Sequence, residues 1–580
     1  MEKKTKKIDL GYKRLGDIAD KFYNEGNYLS ALRFAYRQYD AYGGDPDVFA
    51  RFSDIYEGMN LSASALNWWY RFLNVAREED LPDAYEGLAV NYLNMGSETQ
   101  SAYYYNKLID VDDTLPTDAK LNIIETFSKK KGSHLRFIYP PRLANYTREL
   151  DKGSKALKAG DCARAIEQFS RIEKGAKEYV AAKEMQAVAH LLAGESDKAE
   201  TLCNELLSEM PDDVRVLATL SAVYLEQGRK EESRQIALRL ATAEQTDEET
   251  LYKVATVCCE NGLHEEAFQK FLQIEKMIPY EGRMLYFKAV SAYKSGHVDE
   301  AENTLDKICT IYPNAEVAKY YLRALRVAKD TGELPFKPEE FTYFYHLPQE
   351  ERENRCRSLI RMSKCAKDEA KLFGLIALHD GYFQWCFDEM DGNDHDLQFL
   401  GLVTAEHVRA DAFLQEIMLD CDVLDVLKIE LLRLLYMRNE DMDVGVVISH
   451  IYRNVELYRI RIGRRKHKRF LSGYAKTASR FSIIQDGYSQ KLQQTAEKLY
   501  RAIEKNDAFD VLENEDDIAC AIYFLSDLKD LGKDRDLIYH AFEADKARVQ
   551  TIMDVMEGKK TLVEKDERTK EVQQGETDRF

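Results

Sequence analysis

The chain has 580 residues, with 82 lysines and arginines against 101 aspartates and glutamates, a formal net charge of −19. At 45% hydrophobic and 32% charged residues it is too apolar for general disorder and too charged for a membrane protein, and its length predicts several domains rather than one core. Its 10 cysteines show no CxxC spacing, which excludes a disulfide framework or zinc ribbon as an expectation, and the acidic balance argues against coating nucleic acid with the whole surface.

The N-terminus, MEKKTKKIDLGYKRLG, is basic but lacks the apolar run of a secretory signal, so a cytoplasmic protein is expected. Residues 1–116 carry three irregular helix-pair signals: Ala19, Phe22, Gly26 and Ala31, then Ser53, Tyr56 and Ala65, then Ala89, Tyr92 and Gly96. Their spacing is 34 and then 36 residues, and Asn60 stands where the second glycine belongs. Residues 117–145 contain the pair Pro140–Pro141, which disfavours helix and predicts an extended connector.

From 146 to 330 the period becomes regular. Gly160, Gly194, Gly228, Gly262 and Gly296 recur every 34 residues. Upstream of each stands a small residue (Gly153, Ala187, Ser221, Ala255, Ala289), and downstream another (Ala165, Ala199, Ser233, Ala267, Ala301). Small side chains at both places let two helix axes approach closely, a left-handed glycine ends the first helix, and Pro211, Pro279 and Pro313 mark where the second stops. The pattern resembles the tetratricopeptide repeat (TPR) family, whose unit is a 34-residue helix–turn–helix. The resemblance implies eight stacked units, the first three degenerate, with residues 315–330 as a helix capping the last apolar face.

The same resemblance places a concave groove on the first helices, with Arg215, Glu249, Tyr252, Lys253, Arg283, Tyr286, Phe287, Val290 and Tyr293 along it. The lysine and asparagine clamp by which some family members hold a chaperone carboxylate is missing, since Thr147, Leu150, Asp151 and Ser154, then Ala181, Glu184, Met185 and Val188, occupy those positions. Tyrosines and arginines there suit an extended or helical peptide of a protein partner. The competing reading is that the tyrosines pack between repeats.

Residues 331–355 read as a linker with three prolines, and 356–556 as a helical module outside the 34-residue register, without strand-like alternation. Within it, the run Arg459, Arg461, Arg464, Arg465, Lys466, Lys468 and Arg469 reads as a basic helix, neutralised either by nucleic-acid phosphates or by the protein's own acidic surface. One helix ending at Gly532, followed by two short helices divided at 543–545, resembles a helix-turn-helix, with Lys546, Arg548 and Gln550 as candidate DNA contacts. The acidic stretch 388–396 reads as a solvated loop, and 557–580 as a mobile tail. No phosphate-binding loop, GxSxG or HExxH occurs, the cysteines and His190 read as packing, and neither metal nor cofactor is expected. The fold class is all-α: a TPR solenoid followed by a non-repeat helical module. The layout resembles bacterial TPR proteins with a helical C-terminal region. The expected function is a non-enzymatic scaffold that binds a protein or peptide in its groove, and the alternative is a regulator contacting nucleic acid through its C-terminal region.

Overall fold

The computed structural model describes residues 11–112, 146–174, 176, 178–388, 390, 394–462, 468–528 and 535–556. The first three helix pairs are α1 (Tyr12–Asn24) with α2 (Tyr28–Tyr42), α3 (Pro46–Gly58) with α4 (Ser62–Val75), and α5 (Leu81–Asn94) with α6 (Glu98–Val111). Units four and five are α7 (Thr147–Lys158) with α8 (Cys162–Ser170) and α9 (Tyr179–Leu192) with α10 (Ser196–Glu209). Units six to eight follow as α11 (Val214–Glu226) with α12 (Lys230–Thr242), α13 (Glu248–Glu260) with α14 (His264–Glu275), and α15 (Gly282–Lys294) with α16 (Val298–Ile311). Helix α17 (Glu316–Thr331) caps the stack. The expected connector and tail lie outside the described residues.

The repeat grammar has a direct backbone cause. The five regular glycines take φ between 69° and 91°, and Asn60 substitutes for the missing one at φ 64°. One residue further on, a backbone N–H reaches back across the turn, as from Leu263 to the Cys258 carbonyl (2.9 Å), which satisfies a carbonyl the ended helix leaves open. The small residues are buried where the helices cross, and a Cβ added at Gly153 would lie 2.4 Å from the Phe169 ring. The first helices of units six to eight begin on Asp213, Asp247 and Glu281, whose carboxylates accept from backbone N–H groups in the first turn. These three acids also recur every 34 residues. Gly262→Ala introduces no clash, since nothing lies within 4 Å of the added Cβ, so only the left-handed backbone opposes it. Chemical denaturation is expected to register a loss of about 1–2 kcal/mol.

The N-terminal array does not continue the stack. It folds back onto unit eight, where Tyr56 donates to the Ile311 carbonyl (2.7 Å) and Arg33 pairs with Asp306 (2.7 Å). Its core is continuous with those of units seven and eight and the C-terminal module, whereas units four and five rest on small separate clusters around Phe169 and Cys203.

The C-terminal module contains α18 (Gln349–Met362), α19 (Lys367–His379), α20 (Tyr382–Cys386), α21 (His395–His407), α22 (Asp411–Leu419) and α23 (Asp425–Arg438). Helix α18 starts directly after Pro348, so residues 349–355 are helical rather than linker. Next comes a β-hairpin that corrects the wholly helical reading: β1 (Met442–Ile448) pairs antiparallel with β2 (Ile451–Leu457), Val444 opposite Val455. Its turn, Ser449 and His450, has both residues at positive φ, the backbone twist that two-residue hairpins favour. Five α-helices close the described chain: α24 (Lys468–Phe481), α25 (Tyr488–Lys505), α26 (Glu515–Leu525) and, after residues outside the description, α27 (Arg535–Phe542) with α28 (Lys546–Met556). Helix α26 ends at Leu525, earlier than the Gly532 expectation, while the break at 543–545 is where the sequence places it. Among the described residues no helix is long and apolar enough to cross a membrane.

Candidate functional site

The groove positions divide into a covered end and an open middle. At the covered end, Tyr286 and Val290 on α15 are 0% exposed. What covers this end is the segment between α17 and α18. Phe341 stacks on Tyr321 of α17 (4.4 Å between centroids) and lies 5.9 Å from Tyr286 and 5.3 Å from Tyr293. Tyr345 meets Tyr286 edge-on at 4.8 Å, and Tyr343 meets Phe287 at 6.0 Å. Hydrogen bonds fix the backbone of this strap: Tyr321 donates to the Glu340 and His346 carbonyls, and Tyr286 to the Phe344 carbonyl. Tyr343 hydrogen-bonds His264 (2.8 Å). Phe344 alone of these rings points outward, at 77% exposed. Tyr286 and Val290 are therefore core residues, and Phe287 and Tyr293 wall the strap.

Of the stretch 388–396, expected to be a solvated loop, His395 and Asp396 are exposed and 389 and 391–393 lie outside the described residues, but its first residue is not solvated. Asp388 is buried and accepts from Tyr345 and from the Val317 backbone N–H. That contact anchors the strap to the start of α17.

In the open middle, Glu184 on α9 draws the neighbouring units together. Arg215 on α11 lies 3.4 Å from one of its oxygens and Lys253 on α13 lies 3.5 Å from the other. Lys253 also reaches Glu249 (3.2 Å), which is exposed. Burial raises the Glu184 carboxyl above its ordinary range, while Lys253 and Arg215 pull it back. Burial also lifts the Tyr252 phenol to about 12. The Tyr252 ring lies 6.3 Å from Phe287, linking this charged centre to the aromatic end. Arg283 is exposed beyond it. The sequence marks Glu184 only as a residue standing in place of the missing clamp, although it shares the repeat position of Tyr252 and Tyr286, 68 and 102 residues further on.

The remaining candidates sit elsewhere. Arg459 follows β2 and lies 3.8 Å from Asp441, and Arg461 is exposed in non-helical chain. Only Lys468 and Arg469 start a helix, so the basic run is not one helix; Arg464, Arg465 and Lys466 lie outside the described residues. In the helix-turn-helix-like end, Arg548 pairs with buried Asp517 (2.5 Å), Lys546 with Asp536 (2.6 Å), and Gln550 bonds Asp554. These carboxylates hold the side chains that would otherwise face DNA. Burial pushes the thiols of Cys203, Cys258 and Cys309 up to about 12, as expected of packing residues rather than nucleophiles. His190, though buried, is paired after all, with Glu195 at 2.6 Å. Asp420, Cys421 and Asp422 bring ligand atoms within 4.8 Å of one another, yet Asp420 already accepts from Asn67 and from the Asp422 backbone.

Stacked antiparallel helix pairs with glycine turns and an accessible inner face define an α-helical repeat solenoid. Two tetratricopeptide repeat models match residues 150–214 and 191–255, so this stretch of the chain is built of tetratricopeptide repeats. Arrays of this kind are protein–protein interaction scaffolds, and the family is typically non-catalytic. Among solved structures, the chain is similar to MamA of AMB-1, at 21% identity over 28% of this chain and 96% of that one, with TM-score 0.23. It is also similar to a tetratricopeptide repeat protein from Parabacteroides merdae (16%, covering 48% and 98%, TM-score 0.23). A third is the TPR2AB domain of yeast Sti1 in complex with pHSP90 (14%, covering 46% and 98%, TM-score 0.20). No curated protein matches the chain.

Proposed function

We propose that the chain is a scaffold whose second array binds an extended peptide segment of a partner protein in the part of the groove the strap leaves open. The contacts are Arg215, Tyr252, Lys253 and Glu249, with Arg283 at the far rim. The observation that carries the reading is the strap itself: an extended aromatic segment already lies against the groove positions of unit eight. An incoming peptide would continue along α9, α11 and α13. There it meets two cations held by Glu184 and Glu249, and an acidic group of the peptide, carried beside an aromatic residue, would take the place of the exposed Glu249 on Lys253.

Selection of short peptides from a random library against the full chain tests this. Peptides so obtained are expected to lose at least about tenfold in affinity with Arg215→Gln plus Lys253→Gln, and similarly with Tyr252→Ala, each a loss of about 1.4 kcal/mol or more. Circular dichroism should stay unchanged. Binding that survives both variants undiminished would place the site elsewhere.

A further inference from the structure

A cavity of about 350 Å³ runs along the outer edge of β2, walled by α6 of the N-terminal array and by the turn between α24 and α25. Because Ile448 stands opposite Ile451 across the two-residue turn, alternate residues of β2 bond β1, while Tyr452, Asn454 and Glu456 turn their N–H and C=O groups away from it. Side chains service the outer backbone of β1: Gln415 donates to the Gly445 carbonyl (2.9 Å) and Lys428 to that of Val447 (2.7 Å). On β2, the Tyr452 N–H donates to Tyr104 (3.2 Å), and just beyond the strand the Tyr458 carbonyl accepts from Tyr474 (3.0 Å). Between these two points the backbone groups of Asn454 and Glu456 meet no partner among the described residues, and both residues line the cavity. An unpaired strand edge is a template for another strand.

The charges of the walls are divided by depth. Lys107 of α6 and Arg453 of β2 are half-buried, and neither forms an ion pair with a described residue; the Lys107 ammonium lies over the Tyr103 ring at 5.9 Å instead. The two lining carboxylates, Glu456 and Asp486, are exposed, and Glu456 accepts from Tyr458 (2.6 Å). In a chain of net charge −19, two half-buried cations without a carboxylate call for an anionic partner. We propose that the free edge of β2 takes an extended peptide of a partner protein as a third strand, with an acidic side chain of that peptide against Lys107 and Arg453. Asn454 and Glu456 form rungs about 7 Å apart, so about three residues of added strand pair with both. Lys107 stands on the N-terminal array and Arg453 on the C-terminal module, so the site exists only where the two are docked. It is distinct from the groove and does not depend on peptide binding there.

Fluorescence anisotropy on the full chain tests this with a labelled, end-blocked peptide of alternating valine and glutamate, about six residues long. Saturable binding is expected below ~1 mM peptide, and at least about tenfold weaker binding when lysine replaces glutamate. N-methylating every second amide, in one register or the other, removes the donors that face β2 and is expected to abolish binding in at least one of the two. Lys107→Gln plus Arg453→Gln is expected to weaken binding at least about tenfold. Asn454→Pro deletes an N–H that points away from β1, so the ladder stays intact while the added strand is blocked, and binding is expected to vanish. Arg215→Gln plus Lys253→Gln, in the groove, is expected to change nothing. No saturable binding, equal binding of the lysine peptide, full affinity of both methylated peptides, or unchanged affinity in Asn454→Pro would each overturn the proposal. Loss of binding in the groove variant would do so too. Binding that appears only after residues 557–580 are removed would assign the edge to the chain's own tail, and self-association lost in Asn454→Pro would assign it to a second copy; either result overturns the proposal. If Asn454→Pro fails to fold, the methylated peptides and the glutamine pair decide the matter.

Discussion

Phe341→Ala is expected to lower the stability of the protein by about 3–5 kcal/mol, although the residue lies in a segment that reads as a linker. The ring is 0% exposed, stacks on Tyr321, and touches Tyr286, Tyr293 and Phe336. Its removal leaves a void among large aromatic side chains that are themselves hydrogen-bonded and unable to collapse freely. Tyr321 and Tyr286 donate to strap carbonyls, so a strap that loosens also takes these acceptors from two buried hydroxyls. Phe344→Ala is the matched control: three residues away and 77% exposed, it is expected to change stability by less than about 0.5 kcal/mol. Denaturation curves compare the two directly, and hydrogen exchange locates the effect. Faster exchange is expected in α15, α17 and the strap, with units four and five unaffected. Equal costs for the two variants would mean that the strap merely lies on the groove rather than forming part of its core.

The difference between the strap and the groove it fills shows how much was legible in the sequence. The 34-residue period could be read because each turn needs a left-handed residue and each helix crossing needs a small one, and both demands are local. Asn60 sits in the same conformation as the glycines, so even the degenerate copies keep the backbone requirement. Tyr286 and Tyr252, by contrast, occupy the same repeat position, yet one is core and the other borders the open groove. The difference is made by Phe341 and Tyr345, more than 50 residues away, and no periodicity encodes that contact. The fold-back of the first array is non-local in the same way: Tyr56 carries the repeat's aromatic position and also bonds Ile311, 255 residues on. The hairpin was hidden for a different reason. Val446 and Val447 of β1 are both buried, because the strand is covered on two faces, so the segment reads as a short apolar run rather than an alternation. Its Ser449–His450 turn also lacks the asparagine or glycine that announces such a hairpin.

That hairpin tip carries the second large effect. Tyr70→Phe combined with Tyr104→Phe is expected to cost about 2–4 kcal/mol and to detach the hairpin tip from the N-terminal array. The His450 carbonyl, at the tip, accepts from both hydroxyls, Tyr70 at 2.9 Å and Tyr104 at 3.1 Å. Tyr104 in turn accepts from the Tyr452 backbone N–H (3.2 Å), and Tyr70 shares a hydrogen bond with Tyr92 (2.6 Å). Burial raises all three phenols, which keeps them protonated and able to donate at neutral pH. The double variant removes two oxygens and leaves a carbonyl, an N–H and the Tyr92 hydroxyl without these partners, while the ring volumes barely change. Because apolar packing is preserved, the loss reports the hydrogen-bond cluster and not a cavity. Further contacts resist the detachment, among them His450 packed edge-on against Tyr92, the Tyr452 hydroxyl donating to Asn74 (3.1 Å), and Asn67 accepting from the Cys421 backbone N–H. The expected signature is thus a local opening, read as protease cleavage near 449–450 and faster exchange in β1 and β2 at temperatures where the second array remains helical. Should the double variant instead unfold in one transition, at an unchanged midpoint and with the tip still protected, the hydroxyl cluster would be incidental to docking, and the contacts of Asn67 and Arg71 on α4 with Cys421 and Glu416 would have to hold the first array in place.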